Sequence, residues 1–266
     1  MGKKITVSAF SKRKNAGEKL VMITAYDAPG AALCTRAGID MLLVGDSLAM
    51  TVLGYPNTLP ATMEEMIHHT KAVRRGAPDS FVVFDMPFMS YQISIEQALT
   101  NAGRAIKETG ADAVKLEGGL ELVPLVRRLV ESGIPVMPHI GLLPQHVQAV
   151  GGYKVTGRSE DDALRLIETA KAFEEAGAFA IVLECVTREV AAKVTESLSI
   201  ATIGIGSGPE CSGQIQVFHD VIGMFDGFTP KHARRYAEAG NLIANALESY
   251  ASDVKNGSFP GTENSF

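Results

Sequence analysis

FVVFDMPFMSYQISIEQALTNAGRAIKETGADAVKLEGG, residues 81–119, decides the fold. It opens on a short apolar run that ends in an acid, Asp85. A helix signal follows. Ser94 with Gln97 three residues on has the form of a capping box, and the helix it opens runs out near Gly110. A second apolar run, AVKLEGG (113–119), closes the stretch and again ends in ionisable residues. Near-continuous apolar runs separated by a helix are the pattern of parallel strands buried on both faces.

Outward from this unit the same rhythm recurs. Apolar runs occur at VMITAYD (21–27), MLLVGDS (41–47), PVMPHIG (135–141), AIVLECV (180–186), ATIGIGSG (201–208) and, less clearly, QIQVFHDVIG (214–223), making eight candidate strands with the first two. Helix signals fall between them. Thr62 and Glu65 form a second capping box, with Met63, Met66, Ile67 and Val73 along one face before Gly76. Val123, Val126, Leu129 and Val130 stripe another helix, stopped by Gly133. Ser159, Ala163, Ile167 and Ala170 mark a further one, stopped by Gly177, and Thr187, Val190, Ala191 and Val194 the next. Ala28–Gly38 suits a short helix, and 231–255 reads as a terminal one. Eight strands alternating with helices predict an α/β fold, a (β/α)8 TIM barrel, as a single domain over 1–266 with a short N-terminal arm or helix. A doubly wound sheet competes. Its dinucleotide fingerprint is missing, because GIGSG (204–208) is not GxGxxG and sits at the seventh run rather than after the first. The segment 142–158, LLPQHVQAVGGYKVTGR, carries three glycines and reads as a lid.

Composition narrows the function. With 25 Lys plus Arg against 30 Asp plus Glu, the net charge is −5, which gives no electrostatic reason to bind nucleic acid or an anionic membrane. No apolar stretch is long enough to span a bilayer. The N-terminal MGKKITVSAFSKRKN lacks the apolar core of a secretory signal. Its Met1-Gly2 with Thr6 matches the short myristoylation pattern, but the segment is read as a leading helix or arm. The three cysteines, Cys34, Cys185 and Cys211, show no CxxC or Cys/His spacing, which argues against a disulfide scaffold or structural zinc and for a reducing cytoplasm.

The active end of such a barrel is where the strands finish. There stand Asp27, Asp46, Asp85, Lys115, Glu117, His139, Glu184 and Ser207. Alternation puts Lys115 and Glu117 on one face, and likewise Val44 with Asp46, Val83 with Asp85 and Val182 with Glu184. Carboxylates meeting at one mouth repel: a pair at 4 Å costs on the order of 4 kcal/mol at an effective dielectric near 20. Asp46, Asp85 and Glu117 together therefore point either to a held proton or to a bound cation, and hard oxygens suit Mg²⁺ better than zinc. The alternative is three separate acids that cap helices or pair with bases. Glu184, later in the chain, is a candidate general base, or a solvated Glu at a loop start. Lys115 is placed to neutralise a substrate carboxylate, or to pair with an acid. His139 stands one layer behind the acids as a hydrogen-bond donor to substrate oxygen, or is a satisfied core histidine. Cys185 faces away from Glu184 by alternation and reads as a packed thiol. His219-Asp220 reads as a strand-end pair.

At these residues the chain resembles ketopantoate hydroxymethyltransferases. LVGDSLAMTVLG (43–54), MPFMSY (86–91), VKLEGG (114–119), GGYKVTGR (151–158), LECV (183–186) and GIGSG (204–208) carry the resemblance, in order, between TAYD at 24–27 and FPG at 259–261. It implies a barrel of the phosphoenolpyruvate/pyruvate type, Mg²⁺ dependence and a cytoplasmic homo-oligomer, typically a decamer. The implied reaction carries a one-carbon unit from the co-substrate 5,10-methylenetetrahydrofolate to 3-methyl-2-oxobutanoate, giving 2-dehydropantoate in the first step towards pantothenate. Carried over by position, Asp46, Asp85 and Glu117 match the metal-side acids. Asp46, Ser47, Asp85 and Lys115 match the oxo-acid contacts, and Glu184 matches the proton acceptor. The partners implied are thus a small 2-oxo acid and a folate. Ala49, Leu143 and Ser212 depart from the Gly, Thr and Asp usual in the family, the first two near the expected site.

The expected mechanism is an enolate stabilised by Mg²⁺ and Lys115 after Glu184 removes a proton, with the 142–158 segment closing against water. A Mg²⁺-dependent lyase or mutase acting on oxaloacetate or isocitrate would share the enolate, but 142–158 lacks the cysteine such enzymes often carry there. A non-catalytic barrel would not need acids at so many strand ends.

Overall fold

A computed structural model describes residues 5–152, 154–224 and 230–266. Met1, Gly2 and Tyr153, singled out in the sequence motifs, lie outside the described residues. Eight strands, β1 (Leu20–Thr24), β2 (Met41–Val44), β3 (Phe81–Asp85), β4 (Ala113–Glu117), β5 (Val136–Gly141), β6 (Ala180–Glu184), β7 (Ala201–Ile205) and β8 (Gly213–Gln216), close into a barrel. Each pairs in parallel with the next in the chain, and β8 returns to β1. The helices are α1 (Val7–Asn15), α2 (Ala28–Arg36), α3 (Leu48–Thr51), α4 (Met63–Gly76), α5 (Ile95–Thr109), α6 (Val123–Glu131), α7 (Val147–Val150), α8 (Glu160–Glu175), α9 (Arg188–Ser197), α10 (Phe218–Ile222) and α11 (Ala239–Asn256). The chain forms two compact units, Met1–Gln216 and Val217–Phe266, with the barrel in the first and α10 and α11 in the second. Among the described residues no helix is long and apolar enough to cross a membrane.

Alternation along each strand builds the interior and then the mouth. Phe81 and Val83 of β3, Ala113 of β4, Met137 of β5, and Ala180 and Val182 of β6 fill the interior. Two residues further along the same face, each strand reaches its end with Asp85, Lys115 then Glu117, His139, and Glu184. Apolar layers therefore give way to an ionisable layer on one side of the barrel. The other end is closed. Phe10 of α1 is fully buried against Phe81, which begins β3, and Phe179, which precedes β6, with ring centroids 4.9 and 5.7 Å away. Lys14 Nζ donates to the carbonyls of Thr195, Leu198 and Ile200 at 2.7, 2.6 and 2.9 Å, tying α1 to the turns there. The N-terminal arm thus plugs the strand-start end, and access is from the strand-finish end.

The capping box at Thr62 and Glu65 forms in full. At Ser94 only half forms: Ser94 accepts from Gln97 N at 3.2 Å, while the Gln97 side chain turns to the Met89 carbonyl at 3.3 Å. Three expectations need correction. The eighth run, 214–223, is a strand only to Gln216, and 218–222 form α10, so His219 and Asp220 are helical. The terminal helix begins at Ala239, not 231. Residues before it bond to the preceding turn instead: Tyr236 N donates to Val221 O at 2.8 Å, and Gly240 N to Gly223 O at 3.0 Å. Finally, Val44 and Asp46 do not share the inner face. Met41 and Leu43 point inward, β2 ends at Val44, and Asp46 reaches the mouth through the Gly45–Ser47 turn.

Candidate active site

The centre of the mouth is a buried ion pair. Lys115 Nζ donates to Asp85 Oδ1 at 2.7 Å, with both side chains almost wholly buried. The other Asp85 oxygen, Oδ2, accepts from the backbone N–H of Asp46 at 3.1 Å. Burial works to discharge Lys115, but Asp85, Asp46 and Glu117 outweigh it and hold the ammonium above its usual range. Burial, then repulsion by Asp85, pushes the Asp46 carboxyl up to about 8. Asp85 is also raised by burial, against the pull of Lys115.

His139 spans the neighbouring acids. Nδ1 lies 3.4 Å from Glu117 Oε2, and Nε2 lies 3.3 Å from Glu184 Oε2. These are ion-pair distances with poor alignment: both ring nitrogens and Glu117 Oε2 are buried without a formed hydrogen bond. Burial and Lys115 would lower the imidazole pKa, but Glu117 and Glu184 prevail and raise it to about 9. Glu117 itself is held below its usual range: burial opposes this, and His139 leads the groups that overcome it. Glu184 differs from the rest in keeping 16% of its side chain open at the rim.

The backbone around Glu184 is tightly specified. Its carbonyl accepts from Leu142 N at 2.8 Å. Gly141 sits at φ +100°, and a Cβ there would stand 2.3 Å from that carbonyl oxygen. Cys185 follows at φ +48°, an uncommon conformation for a side-chain-bearing residue. Burial pushes its thiol up to about 11, which suits a packed cysteine better than a nucleophile.

Six residues singled out in the sequence therefore meet: Asp46, Asp85, Lys115, Glu117, His139 and Glu184. Ser47 adjoins them, with its hydroxyl 2.8 Å from that of buried Tyr26. Asp27 does not join; it caps α2 by accepting from Gly30 N. Ser207 ties strand ends together, donating to Leu183 O at 2.7 Å and accepting from Val186 N at 3.1 Å. Ser212 pairs with Thr202 before β8, at the strand-start end and away from the mouth. Ala49, by contrast, is buried two residues past Ser47.

Two contributors escape the sequence reading, Tyr91 and Gln145. The Tyr91 hydroxyl lies 2.8 Å from Gln145 Oε1 and 3.0 Å from Glu117 O, and it accepts from Glu117 N at 3.2 Å. Gln145 belongs to the segment expected to be a lid. That segment is held at two points: Gln145 is buried in a turn of 3-10 helix, Pro144–His146, and Thr156 N donates to Cys185 O at 2.9 Å. A cleft of about 350 Å³ opens beside Tyr91, Gln92, Ile95, Glu117, Leu122 and His146. A larger hollow of about 500 Å³ between α5 and α6 holds none of the six.

Among the described residues no three His, Cys, Asp or Glu side chains form a ready-made metal cage. The donor set suits a different mode. Asp46, Asp85 and Glu117 are hard oxygen donors crowded together, with Asp46 and Asp85 pushed towards their protonated forms, and one Glu117 oxygen is buried without a hydrogen bond. Mg²⁺ is commonly held by one or two carboxylates, with water and a chelating substrate completing its shell, so these residues fit it.

A family model for ketopantoate hydroxymethyltransferase matches residues 4–262. The chain is 57% identical over 263 residues to the 3-methyl-2-oxobutanoate hydroxymethyltransferase of Carboxydothermus hydrogenoformans, covering 99% of this chain and 95% of that protein. It is 53% identical to the protein of the same name from Thermus thermophilus, over 98% of this chain and 99% of that one. Among solved structures, a phosphonopyruvate hydrolase in complex with oxalate and Mg²⁺ superposes with a TM-score of 0.63 at 12% identity, covering 97% of this chain and 92% of that chain. A 2,3-dimethylmalate lyase of the PEP mutase/isocitrate lyase superfamily superposes at 0.60 with 17% identity, over 98% and 90%. At such identities these two structures speak to the barrel fold alone.

Proposed function

The chain belongs to the ketopantoate hydroxymethyltransferase family, and on that premise we propose that it transfers a hydroxymethyl group to 3-methyl-2-oxobutanoate, giving 2-dehydropantoate (ketopantoate). The donor in this reading is 5,10-methylenetetrahydrofolate, and the step is the first towards pantothenate. The observation that carries the reading is the buried Lys115–Asp85 pair beside Asp46, with Glu184 at the open rim across His139.

Asp46 and Asp85, with Glu117 as the third acid, would hold Mg²⁺. Asp46, Ser47, Asp85 and Lys115 would hold the oxo acid. When bound, the ion supplies Lewis-acid polarisation of the ketone, which acidifies the neighbouring C3–H. Glu184 takes that proton on its carboxylate. The Lys115 ammonium, kept charged by the surrounding acids, stabilises the negative charge that develops on the ketone oxygen. C3 then forms a bond to the one-carbon unit of the donor. The two C–N bonds of the methylene bridge break, water supplies the hydroxyl oxygen, and the C3 proton with the two water protons ends on the two donor nitrogens and the new hydroxyl as tetrahydrofolate leaves. His139 orients the Glu184 carboxylate from behind.

Proton NMR of 3-methyl-2-oxobutanoate in D₂O tests the reading. Loss of the C3–H signal only with protein and Mg²⁺, followed by ketopantoate only after the folate is added, supports it. Exchange without product would shift the function to another electrophile, and no exchange would remove the enolate chemistry. The reading also includes a cytoplasmic homo-oligomer. The thiols of Cys34 and Cys211, neither of them in a disulfide, support the compartment, and light scattering tests the assembly.

Gly141→Ala makes a sharper test of how Glu184 is placed. The added Cβ meets the Glu184 carbonyl, and the left-handed backbone costs about 1–3 kcal/mol more. A displacement of about 1 Å costs about 100-fold in rate. A lower thermal midpoint and an exchange rate reduced by about that factor are expected. Wild-type exchange would show that the carbonyl clamp does not position the carboxylate.

A further inference from the structure

Gln145 occupies a place that the family resemblance leaves unassigned. Its amide orientation is fixed by a directional chain of hydrogen bonds. Tyr91 N donates to Gln92 Oε1 at 3.3 Å, and Gln92 Nε2 donates in turn to Gln145 Oε1 at 3.2 Å. The Tyr91 hydroxyl also donates to Gln145 Oε1, at 2.8 Å. Gln145 Nε2 faces only acceptors, Asp46 Oδ2 at 3.0 Å and Met86 O at 3.1 Å. Flipping the amide would set its NH₂ against the Gln92 amide N–H and its oxygen against the Asp46 carboxyl and the Met86 carbonyl, so the orientation seen is the one that matches these partners. The backbone N–H of the same residue donates to Glu117 Oε1 at 2.7 Å. One buried side chain and its own amide thus grip two acids that come from different elements, Asp46 from the turn after β2 and Glu117 from β4.

We propose that Gln145 is a positioning residue for the oxo-acid and cation site: it engages Asp46 Oδ2 and so presents Oδ1 to the ligand, while setting the distance between Asp46 and Glu117. The inference rests on the function proposed above. Its place in the chain adds a consequence. Because Pro144–His146 begins the segment between β5 and α8, the grip ties that segment to the acids.

The test compares Gln145→Met, which keeps volume and loses the amide, with Gln145→Glu, which keeps the acceptor for Tyr91 and Gln92 but sets a carboxylate against Asp46. Calorimetric titration of 3-methyl-2-oxobutanoate with Mg²⁺ present and no folate gives a readout independent of turnover. Loss of a hydrogen bond to a charged group is expected to weaken binding about 10- to 100-fold in Gln145→Met. Gln145→Glu should weaken it further. In the exchange assay KM should rise far more than kcat falls. Binding within about 2-fold of wild type in a folded Gln145→Met protein would overturn the inference, as would a lowered thermal midpoint with unchanged affinity, which marks a structural role only. If Gln145→Met does not fold, Gln92→Ala at a half-buried position removes the donor that fixes the amide. It should weaken binding about 2- to 10-fold, and no change there also overturns the inference. A wild-type protein that binds no oxo acid is a separate result: it defeats the underlying function, and this inference with it.

Discussion

Glu184→Gln is expected to slow C3–H exchange of 3-methyl-2-oxobutanoate by about 10²- to 10⁴-fold, the usual contribution of a positioned general base. The substitution is nearly isosteric, and the residue lies at the rim with 16% of its side chain open, so the barrel should tolerate it. The amide cannot accept the proton, yet its oxygen still faces His139 Nε2 across the 3.3 Å that separates the native pair. Glu184 is one of the groups that raise His139, so its removal should lower the imidazole pKa from about 9. Oxo-acid affinity should change little, because the Lys115–Asp85 pair and Asp46 are untouched. The two measurements separate the roles. Undiminished exchange would remove Glu184 from proton transfer. Lost binding with the exchange rate intact at saturation would move it into substrate recognition.

How much of this site was legible in the sequence depended on how far each residue's position follows from local geometry. Lys115 and Glu117 could be placed because strand alternation is a local rule, and they continue the inward face begun by Ala113. Glu184 follows Ala180 and Val182 in the same way. Asp46 lies at the mouth for a reason that alternation does not supply, since a turn after β2 delivers it. Gln145 was invisible because its partners lie far along the chain: Asp46 is 99 residues away and Tyr91 54. What signal existed was a lone amide in the apolar LLPQH (142–146), directly after a strand end. In the tail, the amphipathic pattern of 231–238 suits a helix, but backbone bonding to the α10 turn wins over propensity.

The largest stability effect should come from the centre of the mouth. Asp85→Ala leaves the Lys115 ammonium buried without its 2.7 Å partner. Breaking a buried pair from one side typically costs about 3–5 kcal/mol, which lowers the thermal midpoint of a chain this size by roughly 6 to 20 °C. It also removes an oxygen donor and the anchor for the Asp46 backbone N–H, so oxo-acid binding and its Mg²⁺ dependence should fall together. Lys115→Met is the complementary change. It removes a cation from among Asp46, Asp85 and Glu117, whose mutual repulsion is then unrelieved, and it too should destabilise. The informative protein is the double variant. With both charges gone neither is stranded, so its stability loss should be smaller than the sum of the two single losses by about 0.5–3 kcal/mol. Oxo-acid binding should not return with it, because the cation and the acid are both needed there. A double variant that recovers stability and stays inactive separates the structural use of the pair from its chemical use. Additive losses would mean that the two charges do not act as a pair. An Asp85→Ala protein with unchanged midpoint and unchanged Mg²⁺-dependent binding would show that this mouth is not where the oxo acid is held.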